Sequence, residues 1–145
     1  MQIHQATIKQ LDVLVPLFDG YRVFYRQPSN LNGAHKFLKE RLEKEDSIIY
    51  IAYINDVAVG FTQLYPLFSS VTMGPMYMLN DLFIHTEYRN KTIGTALINK
   101  AKTLCRENHY KELIIQTEVT NPAQHLYKRE GFVKDKDLSF FWKHG

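Results

Sequence analysis

Residues 79–96 read LNDLFIHTEYRNKTIGTA, and this stretch decides how the rest of the chain can be arranged. A strand ends near Ile84, a short polar loop follows, and a helix begins near Gly94. Such a junction presents unpaired backbone N–H groups and the positive end of a helix dipole. With Arg89 and Lys91 beside it, the junction predicts a site for a phosphate or pyrophosphate group. The alternative is an ordinary strand-to-helix loop that binds only water.

The segments on either side alternate between strand-like and helix-like patterns, and no linker or internal repeat divides them. β-branched and aromatic runs predict strands, whereas apolar residues at helical spacings predict helices. The predicted strands cover residues 2–7, 48–54, 57–65, 76–84, 111–117 and terminal strand material at Val133 and 138–143, and the predicted helices cover residues 11–25, 34–44, 94–108 and 123–130. Residues 66–75 are predicted to form a loop. This order predicts a single α/β (α+β) sheet with a crossover helix after the third long strand.

Length and composition favour one domain spanning residues 1–145. The chain is 45% hydrophobic and 23% charged, which excludes intrinsic disorder as its general state. Its one cysteine, Cys105, excludes an intramolecular disulfide framework, and no apolar run approaches the ~18 residues of a membrane span. Residues 1–20 lack a signal-peptide pattern. We therefore expect a cytoplasmic protein without membrane contact.

The net charge of +3 has a local origin. Residues 85–108 hold five Lys and Arg against two acidic residues, and the charges of the remaining chain balance. Nucleic-acid binders usually show a clustered basic stripe and a stacking platform, neither of which the sequence contains, so we expect no nucleic-acid partner. The six histidines have no zinc-ligand spacing, and we expect no metal.

Two motifs resemble the GNAT acetyltransferase superfamily. Residues 89–94, RNKTIG, resemble the family's acyl-CoA loop, whose pattern is [Q/R]-x-x-G-x-[G/A]. Residues 123–132, AQHLYKREGF, resemble its A-x-x-L-Y-x-x-x-G-F helix. Spacing, element order and length agree, so the resemblance covers essentially the whole chain. It implies a mixed, mostly antiparallel sheet flanked by about four helices, and it points to the branch of yeast-type D-amino-acid, histone and diamine acetyltransferases.

The resemblance implies acetyl-CoA as the co-substrate. The phosphates would bind the loop and the helix start, and the pantetheine arm would lie along the preceding strand and near Asn121, one residue after the family's usual asparagine slot. The implied contacts are Leu82, Phe83, Ile84, Arg89, Asn90, Lys91, Thr92, Ile93, Gly94, Thr95 and Asn121. Thr92 replaces the first loop glycine. Either a positive φ there costs roughly 1–2 kcal/mol, or the Thr92 hydroxyl donates to a phosphate oxygen.

For catalysis, the resemblance implies that Tyr127 protonates or hydrogen-bonds the departing sulfur. The alternative for Tyr127 is ordinary packing on an amphipathic helix. Asn80 occupies the slot of a glutamate in the related diamine acetyltransferases, and an asparagine cannot act as a base. Either Asp81 acts through water, or a water chain suffices, or the amine arrives deprotonated; Asp81 can also serve only to bond nearby backbone.

The acceptor site is expected between the end of the first helix and the later loop and strand, which wall it in the family. The candidate contacts are Tyr21, Phe24, Tyr25, Arg26, Phe68 and Tyr77. Aromatic and arginine side chains suit a small primary amine that carries a carboxylate, since Arg binds carboxylates bidentately. A polyamine would require acidic walls, which the asparagine at position 80 does not provide.

The sequence therefore predicts direct transfer of an acetyl group to an amino-acid-like or other small amine in a ternary complex. Dimers are common in the family, so the resemblance also allows a homodimer of this chain. The alternative is a non-catalytic acyl-CoA sensor or partner-binding domain, which Thr92 and Asn80 favour.

Overall fold

A five-stranded sheet in the order β1-β2-β3-β4-β5 organises the chain, as the computed structural model shows for residues 1–89 and 92–145. The strands are β1 (Gln2–Gln5), β2 (Ile48–Ile54), β3 (Val57–Ser69), β4 (Gly74–Ile84) and β5 (Leu113–Ile115), and the helices are α1 (Leu11–Phe24), α2 (Leu31–Lys44), α3 (Ile93–Glu107) and α4 (Ala123–Arg129). β1 to β4 pair antiparallel, and β5 pairs parallel with β4. The prediction of a mixed, mostly antiparallel sheet with about four helices is confirmed.

Helices cover both faces of the sheet, which explains why the β2 sequence IIYIAYI is apolar throughout rather than alternating. On one face, Leu14 of α1 and Leu38 of α2 pack with Ile51. On the other face, α3 buries Leu97 and Ile98 against the sheet. All five side chains are completely buried, and each such burial contributes roughly 1.5–3 kcal/mol.

Two predicted boundaries are corrected. Residues 66–75 were expected to form a loop, but β3 continues to Ser69 and β4 begins at Gly74. Pro66 is tolerated in β3 because the pairing of β2 with β3 ends at Leu64, so the missing N–H of Pro66 leaves no ladder bond unmade. The strand predicted over residues 111–117 is shorter in the structure, where β5 covers only Leu113–Ile115.

The prediction of strand structure at the C-terminal end is wrong. Val133 and residues 138–143 form no strand in the structure and remain strongly exposed. A strand requires a hydrogen-bonding neighbour as well as a suitable side-chain pattern, and among the described residues the sheet order ends at β5.

None of the helices within residues 1–89 and 92–145 has the length and apolar character needed to cross a membrane.

Asp19 holds the connection between α1 and α2. Its carboxylate accepts hydrogen bonds from the Asn30 backbone N–H at 2.8 Å and from the Ser29 hydroxyl at 2.7 Å. These two bonds, the backbone one foremost, lower the pKa of the buried Asp19 carboxyl below its usual range. Asp19 thereby fixes the direction in which α2 leaves the loop.

Replacing Asp19 by asparagine tests this connection. Asp19→Asn removes the charge from both hydrogen bonds, so we expect the free energy of unfolding at pH 7 to fall by about 2 kcal/mol. Because the pKa of Asp19 is lowered on folding, its contribution is present above about pH 4 and is lost as the pH falls through the folded-state pKa. Urea unfolding at pH 7 and pH 3 should show a smaller difference in stability between the variant and the parent at pH 3.

Asp12→Asn is the matched control, since Asp12 is exposed on the same helix. We expect Asp12→Asn to change the free energy of unfolding by less than about 1 kcal/mol. A deficit of Asp19→Asn that is equal at both pH values would contradict the assignment.

Candidate active site

The site begins at a bulge in β4. Across β3 and β4, Gln63 lies opposite Asp81 and Leu64 lies opposite Leu79, so Asn80 is an extra residue on β4. β5 pairs with β4 only up to Leu79. From Asn80 onward the pairings of β4 are therefore with β3, and its other edge faces a cleft.

The cleft has a volume of about 430 Å³ and receives residues from five parts of the chain. They are the end of α1, the second half of β4, the loop after it, the start of α3, and α4 with the residues before it. The predicted site residues in its lining are Phe24, Tyr25, Leu82, Phe83, Ile84, Arg89, Thr92, Ile93, Gly94, Thr95, Asn121 and Tyr127. Asn90 and Lys91 lie outside the described residues.

Several lining residues were not predicted from the sequence. Tyr88 lies in the loop after β4, and His125 and Arg129 lie on α4 with Leu126. His125 and Arg129 are four residues apart, a spacing that places both on one face of a helix. The sequence contains this spacing, but it identifies cleft residues only once α4 is known to lie beside the cleft.

The start of α3 adopts a strained conformation. Thr92 has φ 64° and ψ 9°, in the left-handed region. For a residue with a Cβ this conformation costs roughly 1–2 kcal/mol, and glycine would avoid the cost. Two residues on, a Cβ placed on Gly94 would lie 3.1 Å from Cδ2 of Leu126, so the glycine allows α3 and α4 to approach closely beside the cleft.

Arg89 joins the end of β4 to the end of α1. Its Nε donates to the Ile84 carbonyl at 3.2 Å. Its guanidinium carbon lies 5.3 Å from the Phe24 ring centre and 5.7 Å from the Phe83 ring centre. Cation–π contacts of this kind hold the positive charge at the wall of the cleft.

Tyr127 projects from α4 and lines the cleft. Its ring meets that of Phe132 nearly edge-on, with 6.2 Å between the centres. Burial raises the pKa of Tyr127 to about 12, and Tyr25 adds a smaller contribution. The phenol therefore stays protonated near neutral pH and can act as a hydrogen-bond donor.

Asp81 is buried in a polar network and does not line the cleft. Gln63 Nε2 donates to one carboxylate oxygen at 2.6 Å and Asn80 Nδ2 donates to the other at 2.7 Å. Burial raises the pKa of Asp81, while these bonds and one from Tyr21 oppose the rise. The single proton of the Tyr21 hydroxyl is donated either to Asp81 or to the Asn80 carbonyl, which lies 3.2 Å away, and in both arrangements the network ties α1 to the bulge.

Two contacts fasten the loop between β5 and α4 to the end of α1. Arg26 and Glu118 form an ion pair at 2.6 Å, and Asn121 Nδ2 donates to the Tyr25 hydroxyl at 3.1 Å. Asn121 also accepts from the Ala123 N–H at 2.9 Å. The end of α1 and the loop before α4, more than 90 residues apart in sequence, are therefore held together beside the cleft.

The structure does not bring every predicted acceptor residue to the cleft. Phe68 is 84% exposed near the far end of β3. Tyr77 is buried in the core, where it stacks on Tyr110 at 4.8 Å. Tyr21 belongs to the polar network and does not line the cleft.

Within residues 1–89 and 92–145, no group of three or more His, Cys, Asp or Glu side chains could hold a metal ion.

Comparisons with known proteins agree with one another. Residues 14–132 match the model of the acetyltransferase (GNAT) family. The uncharacterized N-acetyltransferase YhfO of Bacillus subtilis (strain 168) is 47% identical over 136 residues, which cover 93% of this chain and 91% of YhfO. The crystal structure of a probable acetyltransferase has a TM-score of 0.92 and 37% identity, covering 99% of this chain and 97% of the other.

A more distant structure shares the fold. The aminoglycoside N-acetyltransferase AAC(6')-Iy, in complex with CoA, has a TM-score of 0.83 and 18% identity, covering 99% of this chain and 95% of that one. At this identity the likeness shows the fold alone.

Replacing Thr92 by glycine tests the strain at the start of α3. Thr92→Gly removes the left-handed penalty but gives the unfolded chain more freedom, so we expect a net gain of up to about 1 kcal/mol in the free energy of unfolding. Urea denaturation followed by circular dichroism measures the change.

Thr103→Gly is the matched control, because Thr103 lies within α3 in helical conformation. It should lose roughly 0.5 kcal/mol, giving a change of opposite sign. If both variants lose stability equally, Thr92 is not strained.

Proposed function

The chain is a member of the GNAT acetyltransferase family, and from that membership we propose that it moves the acetyl group of acetyl-CoA to the primary amine of a small molecule. One observation carries this proposal. The parting of β4 from β5 at Asn80 opens a single cleft that is shared by Leu82–Ile84, the start of α3 and Tyr127. An open strand edge, a helix N-terminus and a protonated phenol are the groups such a transfer requires.

The described residues fit a CoA molecule. The start of α3 offers N–H groups for phosphate oxygens, and Arg89 adds a positive charge at the same wall. The left-handed Thr92 gives the loop a turn for which the family uses glycine. The exposed edge of β4 can pair with amides of a pantetheine arm as a strand would. Acetyl-CoA, when bound, supplies an acetyl group activated as a thioester.

Tyr127 is proposed to hold the proton that the departing sulfur receives. The transfer forms a bond from the amine nitrogen to the acetyl carbon and breaks the carbon–sulfur bond, so the amine loses one proton and the sulfur gains one. Tyr127 is protonated, half-buried and within the lining of the cleft, which suits the donor role. A backbone N–H of Leu82–Ile84 is proposed to donate to the carbonyl oxygen as its charge develops.

The amine is proposed to lose its proton to water rather than directly to Asp81. Both oxygens of the Asp81 carboxylate accept amide hydrogen bonds, and the side chain is 2% exposed. Asn80 has no basic atom. The role proposed for Asp81 is to hold Asn80 and Gln63, and thus the bulge, in position.

The acceptor is proposed to be amino-acid-like. Phe24 and Tyr25 supply an aromatic wall. Arg26, which follows Tyr25 in sequence, lies outside the cleft lining, and its ion pair with Glu118 presents one group of each charge. An amino acid carries a carboxylate that Arg26 can bind and an ammonium that Glu118 can attract before deprotonation. A polyamine would meet the positive charge of Arg26 as well as the acidic group of Glu118.

Tyr127→Phe tests the donor. We expect kcat to fall about 100-fold, with KM for acetyl-CoA nearly unchanged, because the ring is kept and only the hydroxyl is lost. Steady-state release of free CoA thiol measures both constants. Tyr53→Phe, on β2 outside the cleft lining, should leave kcat unchanged. Equal rates for Tyr127→Phe and the parent would remove the assignment.

The acceptor class is tested with matched pairs of substrates. Each amino acid is compared with its decarboxylated amine, and polyamines and short peptides complete the panel. We expect the amino acid of each pair to be preferred, and we expect Arg26→Gln to raise the KM of the amino acid about tenfold more than it raises the KM of the amine. Turnover of polyamines or peptides alone would overturn the proposed class while leaving acetyl transfer intact.

A further inference from the structure

Two contacts join α3 to the end of α4, and both of them involve Glu130. The Thr95 hydroxyl, in the first turn of α3, donates to the Glu130 carboxylate at 2.9 Å. The ammonium group of Lys102, about two turns further along the same helix, donates to the Glu130 carbonyl. The Glu130 side chain is 15% exposed, so water competes little for its carboxylate. Glu130 therefore fastens the end of α4 to two points on α3.

Glu130 belongs to the cap that ends α4. Gly131 adopts the left-handed conformation, with φ 92°, and its N–H donates to the Lys128 carbonyl at 3.1 Å. The Phe132 N–H donates to the Tyr127 carbonyl at 3.0 Å. Two such bonds around a left-handed glycine form a Schellman motif, which a hydrophobic contact frequently accompanies. Here that contact is the one between the Phe132 and Tyr127 rings, so the residues that Glu130 anchors hold both the carbonyl and the ring of Tyr127.

Lys102 contacts the same cap through a second group. Its ammonium nitrogen lies 5.4 Å from the centre of the Phe132 ring, within the range of a cation–π contact. Phe132 is the residue whose ring packs against Tyr127. A continuous path of contacts therefore leads from the first turn of α3 to the phenol that lines the cleft.

We propose that Glu130 and Lys102 are positioning residues that set where the Tyr127 phenol lies relative to the start of α3. The proposal rests on the proposed function, in which the phosphates of CoA bind the start of α3 and its sulfur reacts beside Tyr127. Phosphates and sulfur belong to one molecule, so a change in the spacing of α3 and α4 moves the phenol away from the sulfur. A misplacement of about 1 Å can lower a rate roughly 100-fold. Neither Glu130 nor Lys102 lines the cleft, so both act through Tyr127.

The kinetics of single and double variants test the role of Glu130. Glu130→Ala removes the carboxylate, and we expect kcat to fall about tenfold while KM for acetyl-CoA changes less than about twofold. Glu130→Gln keeps an oxygen that can accept from Thr95, so it should retain at least about half of the parent kcat. In the Tyr127→Phe background, Glu130→Ala should lower kcat no further, because the phenol is already absent. A second tenfold loss in that background would contradict the proposal.

Lys102→Met tests the second contact. Methionine keeps an unbranched apolar chain and removes the ammonium group, and we expect kcat to fall about fivefold. The matched control is Lys100→Met, on the same helix, which removes an ammonium 5.6 Å from the centre of the Tyr50 ring, outside the cleft lining. Lys100→Met should leave kcat unchanged, and equal losses in the two variants would show that Lys102 has no special role.

Fluorine NMR tests the position of the phenol without relying on turnover. A fluorotyrosine placed at position 127 reports on the surroundings of its ring. Glu130→Ala and Lys102→Met should each move its resonance toward that of the unfolded chain, whereas Glu130→Gln and Lys100→Met should leave it in place. An unmoved resonance in both Glu130→Ala and Lys102→Met overturns the positioning role. A parent-like kcat in Tyr127→Phe overturns the donor role in the proposed function instead, and the resonance then decides the proposal alone.

Discussion

The structure depends on one extra residue in β4. Asn80 bulges from the ladder with β3, and the buried Gln63–Asp81 hydrogen bond at 2.6 Å holds the two strands together beside it. β4 can therefore continue along β3 while it leaves β5. The pairing of β5 with β4 ends at Leu79, next to the bulge, so the edge of β4 beyond it is left to face the cleft. Beside the bulge, part of a sheet edge becomes the wall of the cleft.

The rest of the site is fastened to this bulge from both sides. Tyr21 joins α1 to the Asn80 carbonyl, and Arg89 joins the end of β4 to Phe24. The end of α1 is in turn tied to the β5–α4 loop through the Arg26–Glu118 pair. Exposed ion pairs contribute little to stability, so the value of this one lies in where it holds the loop.

Family membership, the mixed sheet and most residues of the cleft lining could be predicted from the sequence because they rest on local patterns. The run from Leu79 to Ala96 fixes a strand, a loop and a helix in order, and the Ala123–Phe132 motif fixes a second helix. The positive φ of Thr92 was one of two alternatives that the sequence left open. Phe68 and Tyr77 were harder to assign, because an aromatic side chain on a strand has the same local pattern whether it lies in the core, in solvent or in a cleft.

The sequence by itself determined the element order and the two motifs, since periodicity and turn chemistry act over a few residues. Tertiary structure alone decided that Asp81 is buried between two amides, that Tyr127 faces the cleft, and that Arg26 meets Glu118. It also decided that the strand-like pattern of residues 138–143 forms no strand. Such outcomes depend on which distant segments meet, because a side chain's burial, its pKa and a strand's pairing are properties of neighbours that the local sequence does not contain.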